Sequence, residues 1–181
     1  MDRDPEVLFQ EAWERVARRV NVGKHSKDRI RFFLTDGTTK TFDILPMQSD
    51  SMKDEFLEIT LNALNNHSVE ALLLNYEAWF TEAEENVPES VIDAYLRREP
   101  RFIGRYSKRK EGVNFYYETA DGTILTTLAE IVTIEGNKRE LAKISKIMET
   151  KTIGRMSHFF QKAREHLKRR KDSIDDIIQR N

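Results

Sequence analysis

The most apolar stretch of the chain constrains the fold more than any other feature. It runs from Val69 to Phe80 and has the leucines Leu72, Leu73 and Leu74 at its centre. It is far shorter than the roughly 20 apolar residues of a membrane span. Its length and the polar residues Asn65 to Ser68 before it favour a central strand of a sheet.

Further strands are predicted on both sides of this central run. Arg29 to Leu34 and Thr38 to Leu45 flank Asp36-Gly37, which is the pattern of a hairpin with a tight turn. Three antiparallel strands, with turns at Glu111-Gly112 and Asp121-Gly122, are predicted at Phe102–Tyr106, Val113–Thr119 and Thr123–Ile134. The chain therefore has material for a sheet of about five to six strands.

The first two helices are predicted from their caps and apolar stripes. Asp4 is placed to cap a helix that has Pro5 at its first position, and Gly23 is placed to end it. The stripe of this helix comprises Phe9, Trp13, Val16 and Val20. A second helix is predicted to begin at Asp50 or Ser51, with an inner face of Met52, Phe56, Ile59 and Ala63.

Three more helices are predicted in the second half of the chain. A short one runs from Pro88 to Arg98, and another is capped by Asn137, with an inner face of Leu141, Ile144, Ile147 and Met148. The last one is long and carries the stripe Ile153, Met156, Phe160, Ala163 and Leu167. After Lys171, a cap at Ser173 indicates a separate short tail helix.

The order of these elements predicts an α+β fold. Strands and helices are segregated along the chain, which is typical of a mainly antiparallel sheet of about five to six strands packed with helices, here with a long C-terminal helix. The 181 residues suit one domain of ordinary size with an appendage. We therefore predict a single α+β domain over residues 1–150 and a C-terminal helical extension over residues 151–181.

Two neighbouring stretches carry opposite charge, although the whole chain has a net charge of only -1. Between Glu77 and Asp93 there is no Lys or Arg, and the six acids are Glu77, Glu82, Glu84, Glu85, Glu89 and Asp93. The next stretch has Glu99 as its single acid and seven bases, Arg97, Arg98, Arg101, Arg105, Lys108, Arg109 and Lys110. Blocks of one sign face solvent or a charged partner.

The basic stretches admit more than one interpretation. Phe102 and Tyr106 lie among the first set of bases, which suits single-stranded nucleic acid but also suits the core side of a strand. On a helix, Arg164, Lys168 and Lys171 share one side. Such a side can cross phosphates, keep a helix in water, or pair with the acidic residues Glu82 to Glu89 of this chain or of a partner.

No recognisable catalytic motif is present. The chain has no cysteine, so disulfides, thiolate metal sites and a cysteine nucleophile are excluded. The four histidines have no metal-ligand spacing, and there is no P-loop or dinucleotide fingerprint. Glu77 is the one acid inside the apolar run, and it is either a buried functional carboxylate, an acid on an exposed strand face, or a partner of an arginine from the basic stretch that follows.

The segment Leu72-Leu73-Leu74-Asn75-Tyr76-Glu77-Ala78-Trp79 resembles one in small uncharacterised proteins of bacteriophages and prophages. In those proteins an apolar strand ends in Glu-Ala-Trp and is followed by a charged loop and by strands with an Asp-Gly turn. The resemblance covers about Val69 to Ile134, and Phe80 stands where the similar proteins often have Met. It implies a viral or mobile-element accessory protein and brings no catalytic residue.

We therefore expect a non-catalytic accessory protein that binds a protein partner through charged surfaces. A nucleic-acid-binding protein using residues 97–110 and 162–171, and an enzyme with a carboxylate site near Glu77, are the alternatives. The residues assigned to nucleic-acid or partner binding are Arg97, Arg98, Arg101, Arg105, Lys108, Arg109, Lys110, Arg164, Lys168 and Lys171. The acidic partner surface comprises Glu82, Glu84, Glu85 and Glu89.

The remaining expectations concern the surroundings of the protein. The sequence predicts no cofactor and no metal site. The lack of cysteine and of a long apolar run predicts a cytoplasmic location away from membranes. The apolar stripe of the last helix needs a cover, which is either the sheet or the same helix of a second copy in a homodimer.

Overall fold

A computed structural model of the protein describes residues 4–44, 50–81, 109–149 and 157–179. Within these ranges the helices are α1 (Pro5–Val20), α2 (Asp50–Asn66) and α3 (Phe159–Gln179). The strands are β1 (Arg29–Leu34), β2 (Thr39–Asp43), β3 (Val69–Thr81), β4 (Arg109–Thr119), β5 (Ile124–Ile134), β6 (Lys138–Leu141) and β7 (Met148–Glu149). A 3₁₀ turn at Glu135–Asn137 joins β5 to β6.

The strands form one sheet in the order β2-β1-β3-β4-β5-β6, with β7 paired to β5. Every described pair is antiparallel. β3 lies between β1 and β4, so the predicted central strand is confirmed, as is the α+β class. The predicted first hairpin is also confirmed, because β1 pairs directly with β2.

Both faces of the sheet are covered by helices, and the leucines of β3 show this most clearly. Leu73 packs with α1 on one face, while Leu72 and Leu74 pack with α2 and α3 on the other. All three are at most 1% exposed. Successive side chains of a strand point to opposite faces, so an unbroken apolar run is expected only where both faces are covered.

The predicted first helix is confirmed in its cap and in its buried side. Asp4 Oδ1 accepts a hydrogen bond of 2.9 Å from the backbone N–H of Glu6, and Pro5 opens the helix. Phe9 and Val20 are fully buried against the sheet. Trp13 is half-buried, and its Nε1 donates to the carbonyl oxygen of Ala142 at 2.7 Å. This bond ties α1 to the segment that follows β6.

The predicted turn at Glu111-Gly112 is wrong. Both residues lie inside β4, where Gly112 pairs with Ala78 on one side and with Glu130 on the other. β3 extends to Thr81 and offers backbone partners to β4 as far as Arg109. A continuous ladder of hydrogen bonds therefore overrides the local turn preference of a glycine.

The predicted helix after Asn137 is also wrong. Gly136 adopts a φ of 75° in the short turn, and the chain reverses into β6, which pairs with β5. Leu141 is buried, and Ile144 and Ile147 pack on the α1 side of the sheet from an irregular segment. These apolar residues pack in the core as predicted. The segment before them is a strand and not a helix, because residues Lys138–Leu141 pair with the free edge of β5.

Two other details of the helices differ from the predictions. In α2 the buried residues are Phe56, Thr60 and Leu61, whereas Ile59 is 61% exposed. α3 continues without a break to Gln179, so the separate tail helix is wrong. The predicted helix at Pro88–Arg98, the predicted strand at Phe102–Tyr106, and Ile153 and Met156 lie outside the described residues.

A buried carboxylate joins the start of α3 to the sheet. Glu118 of β4 is 2% exposed and accepts backbone hydrogen bonds from Phe159 at 2.7 Å and from Phe160 at 3.1 Å. Tyr116 donates its hydroxyl to the same carboxylate at 2.7 Å. Negative charge at a helix N-terminus is favourable, so Glu118 satisfies the unpaired N–H groups of α3.

The beginning of α3 thus belongs to the core. The ring of Phe159 packs edge-on against Phe56 of α2 and against Tyr116 of β4. Phe159 and Phe160 follow the predicted domain boundary at residue 150, yet they pack with strands that precede it. The division into residues 1–150 and 151–181 stays a prediction.

Replacing Glu118 by Gln is expected to lower the free energy of unfolding by roughly 1–3 kcal/mol, because a buried donor loses its acceptor and the helix loses its counter-charge. Urea unfolding followed by circular dichroism measures the change. Glu130→Gln is the matched control, since Glu130 forms a partly exposed pair with Lys110 at 3.1 Å. A similar loss in both variants would contradict the anchoring role.

Candidate functional site

The two charged stretches are attached to the sheet at a single place. β3 ends at Thr81 and β4 begins at Arg109, and these two residues are paired partners in the sheet. Residues 82–108, which we call the charged segment, therefore leave and re-enter the fold at neighbouring positions. Most predicted site residues belong to this segment and lie outside the described residues: Glu82, Glu84, Glu85, Glu89, Arg97, Arg98, Arg101, Arg105 and Lys108.

The described bases nearest the charged segment are part of the sheet. Lys110 Nζ lies 3.1 Å from Glu130 Oε2 of β5, and each side chain is about one-third exposed. Arg109 contributes its backbone to the pairing with Thr81. The sheet thus neutralises Lys110 internally, and the sequence did not indicate Glu130 as its partner.

The second predicted basic stretch lies on α3. Arg164 donates from Nε to the carbonyl oxygen of Phe160 and from Nη2 to that of Ala120, each at 3.3 Å. Lys168 is exposed to solvent. α3 is one continuous helix through Lys171, so positions 164, 168 and 171 keep the spacing i, i+4 and i+7 within one helix. The role of these bases in binding stays a prediction.

Glu77 lies at the far end of β3 from the helix α2 and is half-buried on the α1 side of the sheet. Its Oε1 accepts a 2.8 Å hydrogen bond from the backbone N–H of Ser26, and its Oε2 lies 3.2 Å from His25 Nδ1. Arg139 Nη2 approaches Oε1 at 3.7 Å. Its arginine partner therefore comes from β6, and the carboxylate also holds the loop after α1.

Glu111 and Arg139 complete a cluster around Glu77 that spacing along the chain did not reveal. Arg139 Nη2 binds Glu111 Oε1 at 2.6 Å, and its Nη1 lies 3.4 Å from His25 Nδ1. We call these four residues the arginine–carboxylate cluster. The sequence gives Glu111 the signal of a turn, and His25 and Arg139 come close to Glu77 only through the pairing of strands in the sheet.

The arginine–carboxylate cluster contains atoms of the kind that bind metal ions. One ligand atom from each of His25, Glu77 and Glu111 lies within 4.8 Å of the other two. Imidazole nitrogens and carboxylate oxygens are both among the ligands that zinc binds in proteins. Here the guanidinium of Arg139 already bridges the two carboxylates and offsets one of their two negative charges.

Asp28 lies in the loop between α1 and β1 and binds the backbone of β3 beside the arginine–carboxylate cluster. Its Oδ1 accepts a 2.9 Å hydrogen bond from the backbone N–H of Glu77, and the residue is 8% exposed. Burial, together with the negative charge of Glu77, raises the pKa of Asp28 to about 6. Asn75 donates to the carbonyl oxygen of Lys27 at 3.0 Å, so the loop is fixed at several points.

A second polar centre lies beside the start of α3. It borders a cavity of about 380 Å³ whose lining includes Glu118, Ile124, His158, Gln161, Arg164 and Glu165. Burial and the adjacent Glu118 raise the pKa of Tyr116, whose hydroxyl oxygen also accepts from the backbone N–H of His158 at 2.9 Å. The oxygens of Glu118 are occupied by helix and tyrosine donors, so this centre anchors α3.

Comparison of the chain with protein-family models, with curated proteins and with solved structures finds no match to any of them. The described helices include none that is both long enough and apolar enough to span a membrane. The function therefore has to be argued from the geometry of this molecule.

We expect Asp28→Asn to stabilise the protein at neutral pH. The folded pKa of about 6 lies above the ordinary value of 3.8 for an aspartate, so the folded state binds more protons between these values and loses stability as the pH rises. Asn keeps the acceptor for Glu77 but carries no charge. The stability difference in favour of the variant should grow by roughly 3 kcal/mol from pH 3 to pH 7.

The effect of Asp28→Asn is measured by urea unfolding at a series of pH values. Asp36→Asn is the control, and the pH dependence of its effect on stability should have the opposite sign. Hydrogen bonds from Thr38 lower the pKa of the exposed Asp36, so this substitution should cost stability as the pH rises. If the stability of wild type and Asp28→Asn depended on pH in the same way, the raised pKa of Asp28 would be contradicted.

Proposed function

We propose that this protein is a non-catalytic accessory protein that binds a protein partner through the charged segment. The observation that carries the proposal is the attachment of residues 82–108 to paired ends of β3 and β4, the longest strand pair of the sheet. Binding residues are disproportionately carried by loops on a rigid scaffold. The scaffold here is a strand pair fixed on both faces by helices.

The charge of the segment favours a protein partner over nucleic acid. Acids from Glu82 to Asp93 precede bases from Arg97 to Lys108, so both signs lie close together along the chain. A polyanion is attracted by the second half and repelled by the first. A protein surface with both signs is complementary to such a pattern and gains specificity and association rate from it.

The base of the segment supports a binding role over a catalytic one. Glu77, the acid on which the enzyme hypothesis depends, is occupied by Ser26, His25 and Arg139. A general base needs a lone pair directed at a substrate. The proposed viral or mobile-element type depends on the Glu-Ala-Trp resemblance alone.

Reversing three charges of the basic half tests the surface. Arg105→Glu, Lys108→Glu and Arg109→Glu together should abolish partner capture, because charges complementary to the partner become repulsive. The thermal unfolding temperature is measured as well, so that loss of capture can be distinguished from unfolding. Capture is measured by tagged pull-down from a bacterial lysate with quantitative mass spectrometry, comparing variants with wild type.

The matched control reverses three exposed lysines after β5, by Lys138→Glu, Lys143→Glu and Lys146→Glu. It introduces the same change in net charge at another place on the molecule. Retention of the same partners by the control and their loss from the first variant supports the proposal. Equal retention by both variants would refute the surface.

Nucleic-acid binding is the second candidate function, and the continuity of α3 favours it. Arg164, Lys168 and Lys171 follow the spacing i, i+4 and i+7 within one continuous helix. Such binding weakens steeply with salt, because neutralised phosphates release counterions. Residues 97–110 would add the remaining charge.

Fluorescence anisotropy of labelled DNA and RNA at about 50 and about 200 mM salt tests this candidate. If it holds, Lys168→Glu with Lys171→Glu should weaken binding and flatten its dependence on salt. Lys143→Glu with Lys146→Glu is the control of equal charge. Absence of binding by the wild type at the lower salt concentration would remove nucleic acid as a partner.

A homodimer through α3 also stays a prediction. Phe160 of the predicted stripe packs with the sheet and α2, and Ala163 is buried, while Leu167 is 42% exposed. Among the described residues of the stripe, Phe160 and Ala163 are therefore covered within this chain.

A further inference from the structure

The arginine at the middle of β1 is buried without enough partners. The side chain of Arg31 is 8% exposed, and its Nη1 lies 3.6 Å from Glu11 Oε2 on α1. Its Nε and Nη2 are buried and have no hydrogen-bond partner among the described residues. A buried donor without an acceptor is costly, and more so when it is charged. Such a group calls for an explanation.

The two unpaired nitrogens form one edge of the guanidinium plane. Nε–H and the N–H of Nη2 on the same side run parallel and make a fork. Such forks bind two oxygens of a carboxylate or a phosphate at once. Glu11 meets the opposite end of the plane at Nη1, so this acid leaves the fork of Arg31 unoccupied.

Two more arginines surround the same guanidinium. Arg29 lies two residues earlier on β1, and therefore on the same face of the sheet. Arg15 lies one helical turn after Glu11, on the same side of α1. Burial and then the positive charges of Arg15 and Arg29 lower the pKa of Arg31, to about 10. Burial and Arg29 likewise lower the pKa of Arg15.

The acids nearby do not balance these cations. Asp43 of β2 pairs with Arg29 at 2.5 Å and with Lys27 at 3.0 Å. Glu11 is the other acid, and it is more than half exposed. The four cations Arg15, Lys27, Arg29 and Arg31 thus face two acids, which leaves an excess of two positive charges. A phosphate dianion carries the charge and the oxygen geometry to balance it.

We propose that Arg31 and Arg15 form a binding site for a phosphate group between α1 and β1. The fork of Arg31 holds two oxygens, Arg15 reaches a third, and Arg29 adds positive charge from the neighbouring position. The proposed site faces solvent on the side of α1 where Glu11 is exposed and Arg15 is half-buried. This site is separate from the charged segment and independent of the proposed function.

Titration with inorganic phosphate at constant ionic strength tests the site. The unfolding temperature of the wild type should rise with the logarithm of the phosphate concentration, because a ligand that binds only the folded state stabilises it. Arg15→Gln should weaken phosphate binding roughly tenfold or more in calorimetry, as one charge-assisted contact is lost. Arg18→Gln is the matched control on the same helix, where Arg18 Nε bonds to the carbonyl oxygen of Glu14.

The variant Arg31→Met tests whether Arg31 binds a ligand or stabilises the fold. Met removes an unpaired buried charge, so the free variant should be at least as stable as the wild type while its response to phosphate disappears. A structural arginine would give the reverse, with a less stable variant. No response in the wild type, or equal responses in wild type, Arg15→Gln and Arg31→Met, would overturn the proposal.

Two further ligands identify the source of the phosphate group. Adenosine monophosphate and O-phosphoserine are titrated in the same way as inorganic phosphate. Tighter binding of the nucleotide assigns the site to nucleotides, and tighter binding of phosphoserine assigns it to phosphoproteins. Equal affinity for all three assigns it to free phosphate, and each of these results supports the site.

Discussion

The burial of β3 on both faces is the constraint on which the rest of the structure depends. Leu72, Leu73 and Leu74 cannot all be buried by one layer, because successive side chains of a strand point in opposite directions. The sheet therefore needs α1 on one side and α2 with α3 on the other. Once β3 is enclosed, its backbone fixes β1 and β4 as neighbours, and the remaining strands extend the sheet from these two.

Polar groups placed at the edges of this core hold its layers together. The Glu118 carboxylate of β4 accepts a backbone hydrogen bond at the N-terminus of α3, and Trp13 of α1 donates to the carbonyl of Ala142. Glu77 and Asp28 hold the loop between α1 and β1. Each of these contacts satisfies a backbone group that burial would otherwise leave unpaired. These polar residues therefore stabilise the packing of the layers, as the leucines do.

The α1 face of the sheet carries two sets of charged side chains, which differ in whether their charged groups are paired. Around Glu77, one arginine bridges two carboxylates, and each of these three charged groups has a partner of opposite sign. Around Arg31, cations outnumber acids and one edge of a guanidinium has no acceptor. A fold retains such an imbalance at a cost in stability. The physical difference between the two sets is the reason to look for a ligand at the second and for a structural role at the first.

Elements with a local or strongly periodic signal can be predicted from the sequence alone. The cap at Asp4, the turn at Asp36-Gly37 and the apolar run of β3 depend on neighbouring residues, and the α+β class follows from their order. Tertiary structure decided the rest. Gly112 is in a strand because β3 reaches far enough to pair with it, and Leu141 is in a strand because β5 had an open edge. Arg139 meets Glu77, and Arg31 meets Glu11, only across the assembled layers. Hydrogen bonds and ion pairs between distant residues exist only after the sheet has formed, so no local pattern contains them.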